Sequence, residues 1–446
     1  MNIAVIGTGY VGLVSGVCLA SKGHKITCFD SNKFTIDMLN KGESPIHEDG
    51  LIELMRKSEK NISFETLNSS TESSLKDFDA IIIAVGTPTV DNKIDLSQIH
   101  SVAITIGKVL KNSKKFVSLI LKSTVLPGTT DTYFRNIVEN KSGKKLGQFG
   151  LGMNPEFLRE GKAVNDFLSP DRIILGYEDL GTLNVLKKMY SPWDCQKVEL
   201  NTRSAEMMKY VNNSLLATLI SSVNEYANIA RKLGGIDFKK VMHGVHLDNR
   251  WSPSKKDGTK LFPDILEYLK PGCGFGGSCF PKDIKAFSTL ASETSIKPNI
   301  IDSVIAVNDG QPNCIIEMLE DKVKDLYNKR VLLLGLAFKP DTDDARESVS
   351  IKLLNLLNKK VLSLSAHDPL AIENAKKLIS PSLNINFINN WEAELYKADV
   401  IIIATNWKIY KSINKLADSL SKKVLFDTRS MLDSTKFEKT NYLSVD

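Results

Sequence analysis

With 446 residues the chain is too long for one compact core, and two or three domains are expected. Its 42% hydrophobic and 25% charged content is that of a soluble globular chain, and no apolar run nears the roughly 18 residues that span a bilayer. A net charge of +6, from 58 basic and 52 acidic residues with no like-charge block, excludes a nucleic-acid-binding signature and favours an anionic small ligand only weakly.

Six cysteines (Cys18, Cys28, Cys195, Cys273, Cys279 and Cys314) are scattered without paired metal-ligand spacing. That pattern predicts reduced thiols and no metal centre. The start, Met1 to Ile6, lacks the basic flank and cleavage site of a signal peptide, so a cytoplasmic protein is expected.

Asn2 to Ile6 form a short apolar run that meets Gly7-Thr8-Gly9-Tyr10-Val11-Gly12. Leu13 to Lys22 then reads as a helix, and Lys25 to Phe29 as a second strand ending at Asp30, 18 residues beyond Gly12. Strand, glycine turn, helix, strand and acid is the dinucleotide-binding layout. Gly7 permits the tight turn, Gly9 lets backbone approach a pyrophosphate, and Gly12 allows close helix packing. Asp30 is placed to accept hydrogen bonds from both adenosine ribose hydroxyls, and it repels a 2′-phosphate, so NAD is expected over NADP.

Near-continuous apolar runs at 79–85 and 116–121 predict strands covered on both faces of a parallel sheet. Each ends in a loop expected to face the cofactor, Gly86-Thr87-Pro88 and Lys122-Ser123-Thr124-Val125-Leu126-Pro127-Gly128. In Asn154-Pro155-Glu156-Phe157-Leu158-Arg159-Glu160-Gly161, two carboxylates stand four apart and share a face if the segment begins a helix. Such a pair divides labour between general base and water positioning, or simply complements a helix dipole.

Residues 203–233 keep helical spacing without proline or glycine, which predicts a long helix joining two lobes and offering a dimerisation surface. Lys209 and Asn213 share one face of it, suited to a developing oxyanion or to a solvated surface. A smaller helical region should continue to about residue 325. His243 and His246, three apart without a third ligand, read as packing or surface residues.

Gly272-Cys273-Gly274-Phe275-Gly276-Gly277-Ser278-Cys279-Phe280-Pro281-Lys282-Asp283 puts a thiol in a glycine-rich loop beside a lysine and a carboxylate. That suits a covalent thiol catalyst, the plainer alternative being a loop with a buried cysteine. Beyond it, Lys329 to Gly335 is again a strand meeting a glycine, and 399–405 echoes 79–85. A second doubly wound domain is expected, without the three-glycine fingerprint and therefore without a second NAD. Arg346, in the charged turn 339–348, is suited to a bidentate contact with phosphate or carboxylate, the alternative being a solvated turn.

Taken in this order, the glycine fingerprint, Gly86-Thr87-Pro88, Ser123-Thr124-Val125, Asn154 to Gly161, Lys209 with Asn213, Gly274 to Asp283 and Phe338 to Arg346 resemble the nucleotide-sugar 6-dehydrogenase family from Met1 to about Asp433. The resemblance implies an α/β chain of two Rossmann-like doubly wound parallel-sheet domains joined by a long central helix and a small all-α dimerisation region. Its bounds would be 1–200 for NAD binding, 201–325 for the helical part and 326–446 for UDP-sugar binding.

The implied reaction is the four-electron oxidation of a sugar nucleotide at C6 by two NAD⁺ in turn, UDP-glucose becoming UDP-glucuronate. The alternative substrates are a UDP-N-acetylhexosamine or GDP-mannose. Cys279 would carry thiohemiacetal and thioester intermediates. Lys209 and Asn213 would stabilise oxyanions, Asp283 would assist near the thiol, Glu156 would be the general acid or base, and Thr124 and Glu160 would place water. Cofactor contacts would come from Gly7, Gly9, Val11, Gly12, Asp30, Lys33, Thr87, Thr124, Glu160, Lys282 and Arg346. Substrate contacts would come from Glu156, Phe157, Leu158, Lys209, Asn213, Arg250, Phe275, Gly276, Phe280, Phe338 and Lys339. A homodimer or larger homo-oligomer is implied. One departure stands out, a longer and more basic connection from Trp251 to Lys270.

Overall fold

A computed structural model describes residues 1–90 and 93–446. The chain divides into two compact units, Met1–Asn212 and Asn213–Asp446. Among the described residues, the first holds an eight-stranded sheet ordered Gln196–Leu200, Arg172–Tyr177, Gly150–Met153, Ser118–Leu121, Ala80–Ile83, Asn2–Ile6, Lys25–Asp30 and Ile62–Thr66. The strands Ala80–Ile83 and Ser118–Leu121 are buried throughout, as uninterrupted apolar runs require when helices cover both faces.

Asn2–Ile6 pairs in parallel with Lys25–Asp30 on one side and Ala80–Ile83 on the other. The chain order therefore reverses at this strand, and the crevice at its carboxyl end is where a doubly wound sheet takes a ligand. The sheet is not wholly parallel: Gly150–Met153 and Arg172–Tyr177 run antiparallel. A short helix, Ala163–Leu168, and its flanking loops connect them, and no crossover is needed for that orientation.

The second unit carries a parallel sheet ordered Asn386–Phe387, Ser363–His367, Arg330–Leu334, Val400–Ile403, Val424–Asp427 and Asn441–Ser444. The internal echo in the sequence is a structural one. Gly7 (φ +96°) donates to Phe29 O and Gly335 (φ +97°) donates to His367 O, each at 2.8 Å. Asp79 accepts from Asn2 N and Asp399 from Arg330 N, each at 2.9 Å.

The two turns then diverge. In the second, Asp368 Oδ2 accepts from Leu336 N (2.7 Å), Ala337 N (3.0 Å) and Trp407 Nε1 (3.0 Å). Asp30 likewise takes the amide after its glycine, from Thr8, but Asp368 takes the next amide and an indole N–H as well.

Between the sheets in sequence lie the helices Thr202–Leu233, Phe280–Glu293 and Asn299–Lys322. The first has 32 residues and runs roughly 48 Å at 1.5 Å per residue. The boundary between the two units falls inside it.

Candidate active site

The first unit presents the glycine turn. A Cβ at Gly7 would lie 2.7 Å from Ala84 O, and one at Gly12 would lie 1.9 Å from Gly7 O, so the turn itself demands both glycines. At Gly9 a Cβ would meet nothing within 4 Å. That space opens at the N-terminus of the helix Tyr10–Ser21, which has no side-chain cap on its first amides. Uncapped amides at the positive end of a helix dipole fit a pyrophosphate.

Asp30 ends the second strand with its carboxylate in this turn, Oδ2 accepting from Thr8 N and Thr8 Oγ1 at 2.8 Å and Oδ1 from Asn32 N at 2.9 Å. These residues fit NAD. Lys33 begins the next helix and is exposed, while Val11 is half-buried on the first turn. Thr87 Oγ1 donates to Thr124 O at 2.8 Å, so the two strand-end loops are tied together.

The Asn154–Gly161 segment does not begin a helix; helical structure starts at Ala163. Pro155 disfavours helical backbone at Asn154, and Glu156 Oε2 accepts from Leu158 N at 2.6 Å in a local turn that competes with a helix. Lys209 Nζ reaches this turn, donating to Glu156 Oε1 and Glu156 O, each at 2.8 Å. The side chains are only 5% and 6% exposed, so Lys209 is not on a solvated face. Burial works to push the Glu156 carboxyl up, but Lys209, the Leu158 amide and Lys122 together hold it below the ordinary range.

Phe157 stacks beneath Arg172, whose guanidinium lies 4.3 Å from the ring centre, with Lys209 Nζ at 5.5 Å. Leu158 packs on the core and Glu160 is half-buried. Glu48 takes hydrogen bonds from Gly161 N (2.8 Å), Ala163 N (2.6 Å) and the Tyr10 hydroxyl, tying the fingerprint helix to this loop. Sequence reasoning passed over Glu48 and Arg172. Tyr10, inside the glycine fingerprint, was the available signal for the first.

The thiol loop lies in the second unit and is held at many points. Gly272 N donates to Asn224 Oδ1 and Gln311 Nε2 to Gly272 O, while Asn308 clasps Phe275 through both N and O. Gly277 N donates to Arg346 O at 2.9 Å. Gly277 has φ +83°, and a Cβ there would lie 2.7 Å from the Phe338 ring. A Cβ on Gly276 would lie 2.4 Å from Glu347 O. Phe275 and Phe280 meet edge to face at 6.0 Å.

The loop's two cysteines are not equivalent. Cys273 is fully buried, its Sγ 2.7 Å from Thr428 Oγ1, and burial pushes its thiol up. Cys279 is half-buried, 3.6 Å from Ser278 Oγ, and immediately precedes the helix Phe280–Glu293 with no side-chain capping bond; the helix's positive end favours negative charge there. On that helix Asp283, with its side chain 1% exposed, accepts from Asn213 Nδ2 at 2.7 Å and pairs with Lys282 Nζ at 2.6 Å. Asn213 is likewise buried rather than solvated.

Phe338 thus joins the thiol loop, with Lys339 Nζ 5.5 Å from its ring. Arg346 contributes its backbone to the loop and pairs its guanidinium bidentately with Asp344. Arg250 stands apart: its side chain is 86% exposed and paired with Asp248.

Known proteins share this chain from end to end. Residues 1–194 match the UDP-glucose/GDP-mannose dehydrogenase family NAD binding domain, 203–310 its central domain and 332–434 its UDP binding domain. The chain is 37% identical to UDP-glucose 6-dehydrogenase YwqF of Bacillus subtilis, covering all of this chain and 97% of that one. It is 34% identical to UDP-glucose 6-dehydrogenase AglM of Haloferax volcanii, covering all of both chains. The solved UDP-glucose dehydrogenase of Pyrobaculum islandicum is similar in structure, with a TM-score of 0.88 and 33% identity over all of this chain and 97% of that one. The glycine turn and Glu156 fall within the first matched segment, Lys209 and the clamped thiol loop fall within the second, and the chain belongs to the UDP-glucose/GDP-mannose dehydrogenase family.

Proposed function

We propose that this protein oxidises the C6 hydroxyl of UDP-glucose to the carboxylate of UDP-glucuronate in two NAD-dependent steps, with Cys279 holding the intermediate. The carrying observation is the state of the thiol loop. Of its two cysteines only Cys279 is solvent-reachable, it stands at the N-terminal end of a helix, and Asp283 one turn later bridges Asn213 and Lys282.

Bound NAD⁺ supplies the hydride acceptor for each oxidation, two equivalents per sugar. After the alcohol becomes an aldehyde, the Cys279 thiolate adds to C6 and forms a thiohemiacetal. Loss of hydride from that carbon leaves a thioester. Water adds to it, the C–S bond breaks, and the uronate departs as the thiol is restored. The covalent link keeps the aldehyde from escaping between oxidations.

In this reading Lys209 and Asn213 donate to the oxyanions that form at C6. Glu156 accepts and returns the protons of the hydroxyl and of water, while Thr124 and Glu160 place the water. Asp283 fixes the Asn213 amide and Lys282. Gly7, Gly9, Val11, Gly12, Asp30, Lys33, Thr87, Lys282 and Arg346 hold the cofactor. Phe157, Leu158, Arg250, Phe275, Gly276, Phe280, Phe338 and Lys339 contact the sugar nucleotide.

The full-length likeness to relatives named UDP-glucose 6-dehydrogenase supports the choice of sugar. The three matched segments support a division near 1–200, 201–325 and 326–446. Exposed Leu215, Tyr226, Ile229 and Leu233 on the long helix support the interface of a homodimer or larger homo-oligomer. Initial rates over UDP-glucose, UDP-N-acetylhexosamines and GDP-mannose, each with NAD and NADP, test the substrate. The expected result is a preference for UDP-glucose with NAD, and a higher kcat/KM for another sugar nucleotide overturns it.

A further inference from the structure

Lys122 is the first residue beyond the strand Ser118–Leu121, and its backbone N is held by Ile83 O at 2.8 Å. Its side chain is buried, 4% exposed. The ammonium donates to Asn154 Oδ1 at 2.7 Å and approaches Asn154 O at 3.4 Å, and it lies 5.4 Å from the centre of the Phe167 ring. Among the described residues no carboxylate pairs with it directly. A buried cation on a neutral amide is costly unless an anion stands close by.

The Asn154 amide has no slack. Its Oδ1 also accepts from the Tyr190 hydroxyl at 2.5 Å, its Nδ2 donates to Ile174 O at 2.8 Å, and its backbone N donates to Leu121 O at 2.8 Å. Two residues further along the same extended segment is Glu156, bonded to Lys209. The charged and titratable groups facing Lys122 are Glu156, Lys209, Cys18 on the helix Tyr10–Ser21 and, through Asn154, Tyr190. Both lysines act to lower the Glu156 carboxyl, Lys209 in direct contact and Lys122 while bonded to Asn154.

We propose that Lys122 is a positioning residue for Glu156: through Asn154 it fixes the Asn154–Glu156 segment, and as a second cation beside Lys209 it keeps Glu156 ionised. This rests on the acid-base role given to Glu156 above. Burial lowers the Lys122 ammonium to about 8, so a neutral replacement is closer to its natural state than at an ordinary lysine, and such variants are expected to fold.

The test is the pH profile of kcat for the full-length protein with UDP-glucose and NAD, in wild type, Glu156→Gln, Lys122→Met, Lys122→Gln and Lys122→Arg. Thermal unfolding and both KM values are measured alongside. Glu156→Gln is expected to lose the acid limb, with a residual rate about 10²–10⁴-fold lower. Lys122→Met and Lys122→Gln are expected to move that limb up by about one pH unit with KM within about threefold, and Lys122→Arg to move it back.

If Lys122→Met fails to fold, Lys122→Gln, which keeps a donor for Asn154, carries the comparison. An acid limb that survives Glu156→Gln overturns the role of Glu156 and this inference with it. A limb abolished in Glu156→Gln but unmoved in Lys122→Gln overturns this inference alone, as does a lower Tm with a uniform fall in rate at every pH.

Discussion

Lys209 Nζ and Glu156 Oε1 lie 2.8 Å apart with almost no solvent around either. The folded Glu156 carboxyl is held below its usual range, although burial pushes the other way. Its pairing therefore stabilises the fold above the unfolded value, near 4.3, and is lost as pH falls through the lower folded value. Lys209→Met leaves a buried carboxylate unpaired and should cost about 3–5 kcal/mol at pH 7. The deficit should shrink toward pH 4, where the stranded Glu156 protonates. Denaturant melts of both proteins at pH 7 and pH 4 check this, and a deficit independent of pH would contradict it.

The fingerprint glycines should separate by substitution. Gly12→Ala forces a Cβ against Gly7 O and should lower the Tm. Gly9→Ala meets open space at negative φ, so it should keep the wild-type Tm yet raise the KM for NAD at least about tenfold, since the added methyl displaces the ligand's phosphates. Equal Tm losses in the two variants would show that the space at Gly9 is not reserved for a ligand.

Gly277→Ala combines a positive φ with contact on the Phe338 ring, which costs of order 1–3 kcal/mol. The thiol loop should yield before the sheets do. Alkylation of Cys279 by iodoacetamide, followed by mass spectrometry, should change at least about tenfold in rate while far-UV circular dichroism stays the same. An unchanged labelling rate would mean that the clamp does not set the thiol's exposure.

Glu206 on the long helix accepts from Gly128 N (2.7 Å), Thr130 N (2.8 Å) and Thr130 Oγ1 (2.6 Å), and burial pushes its carboxyl up to about 7 despite those donors. A carboxyl raised on folding binds its proton more tightly in the folded state. Stability from this group is greatest below its unfolded value and declines as pH rises toward 7, by up to about 3 kcal/mol. Glu206→Gln should flatten that part of the stability–pH curve. An unaltered slope between pH 5 and 7 would assign it to other groups.

The sequence revealed what depends on near neighbours in the chain. Period, glycine spacing and apolar runs predicted the fingerprint turn, its helix and the strands at 79–85 and 116–121, because each is set within a few residues. The Lys209 and Asn213 face was legible as a pair, but its burial was not, since that depends on the Asn154–Glu160 turn and on Asp283 far along the chain. Whether Asn154 begins a helix was left open by the sequence, and it does not, because Pro155 and the Glu156–Leu158 bond set the local backbone against it. Lys122, Glu48 and Arg172 meet residues 32, 113 and 15 positions away, contacts that chain-local spacing does not reveal.

In the proposed reaction Cys279 holds one sugar through two oxidations. The direct measurement is the yield of NADH per UDP-glucose consumed, in wild type and in Cys279→Ala, with products resolved by mass spectrometry. Two NADH and one uronate per sugar are expected in the wild type, and no uronate in the variant. One NADH per sugar, or sustained uronate formation by Cys279→Ala, would contradict it.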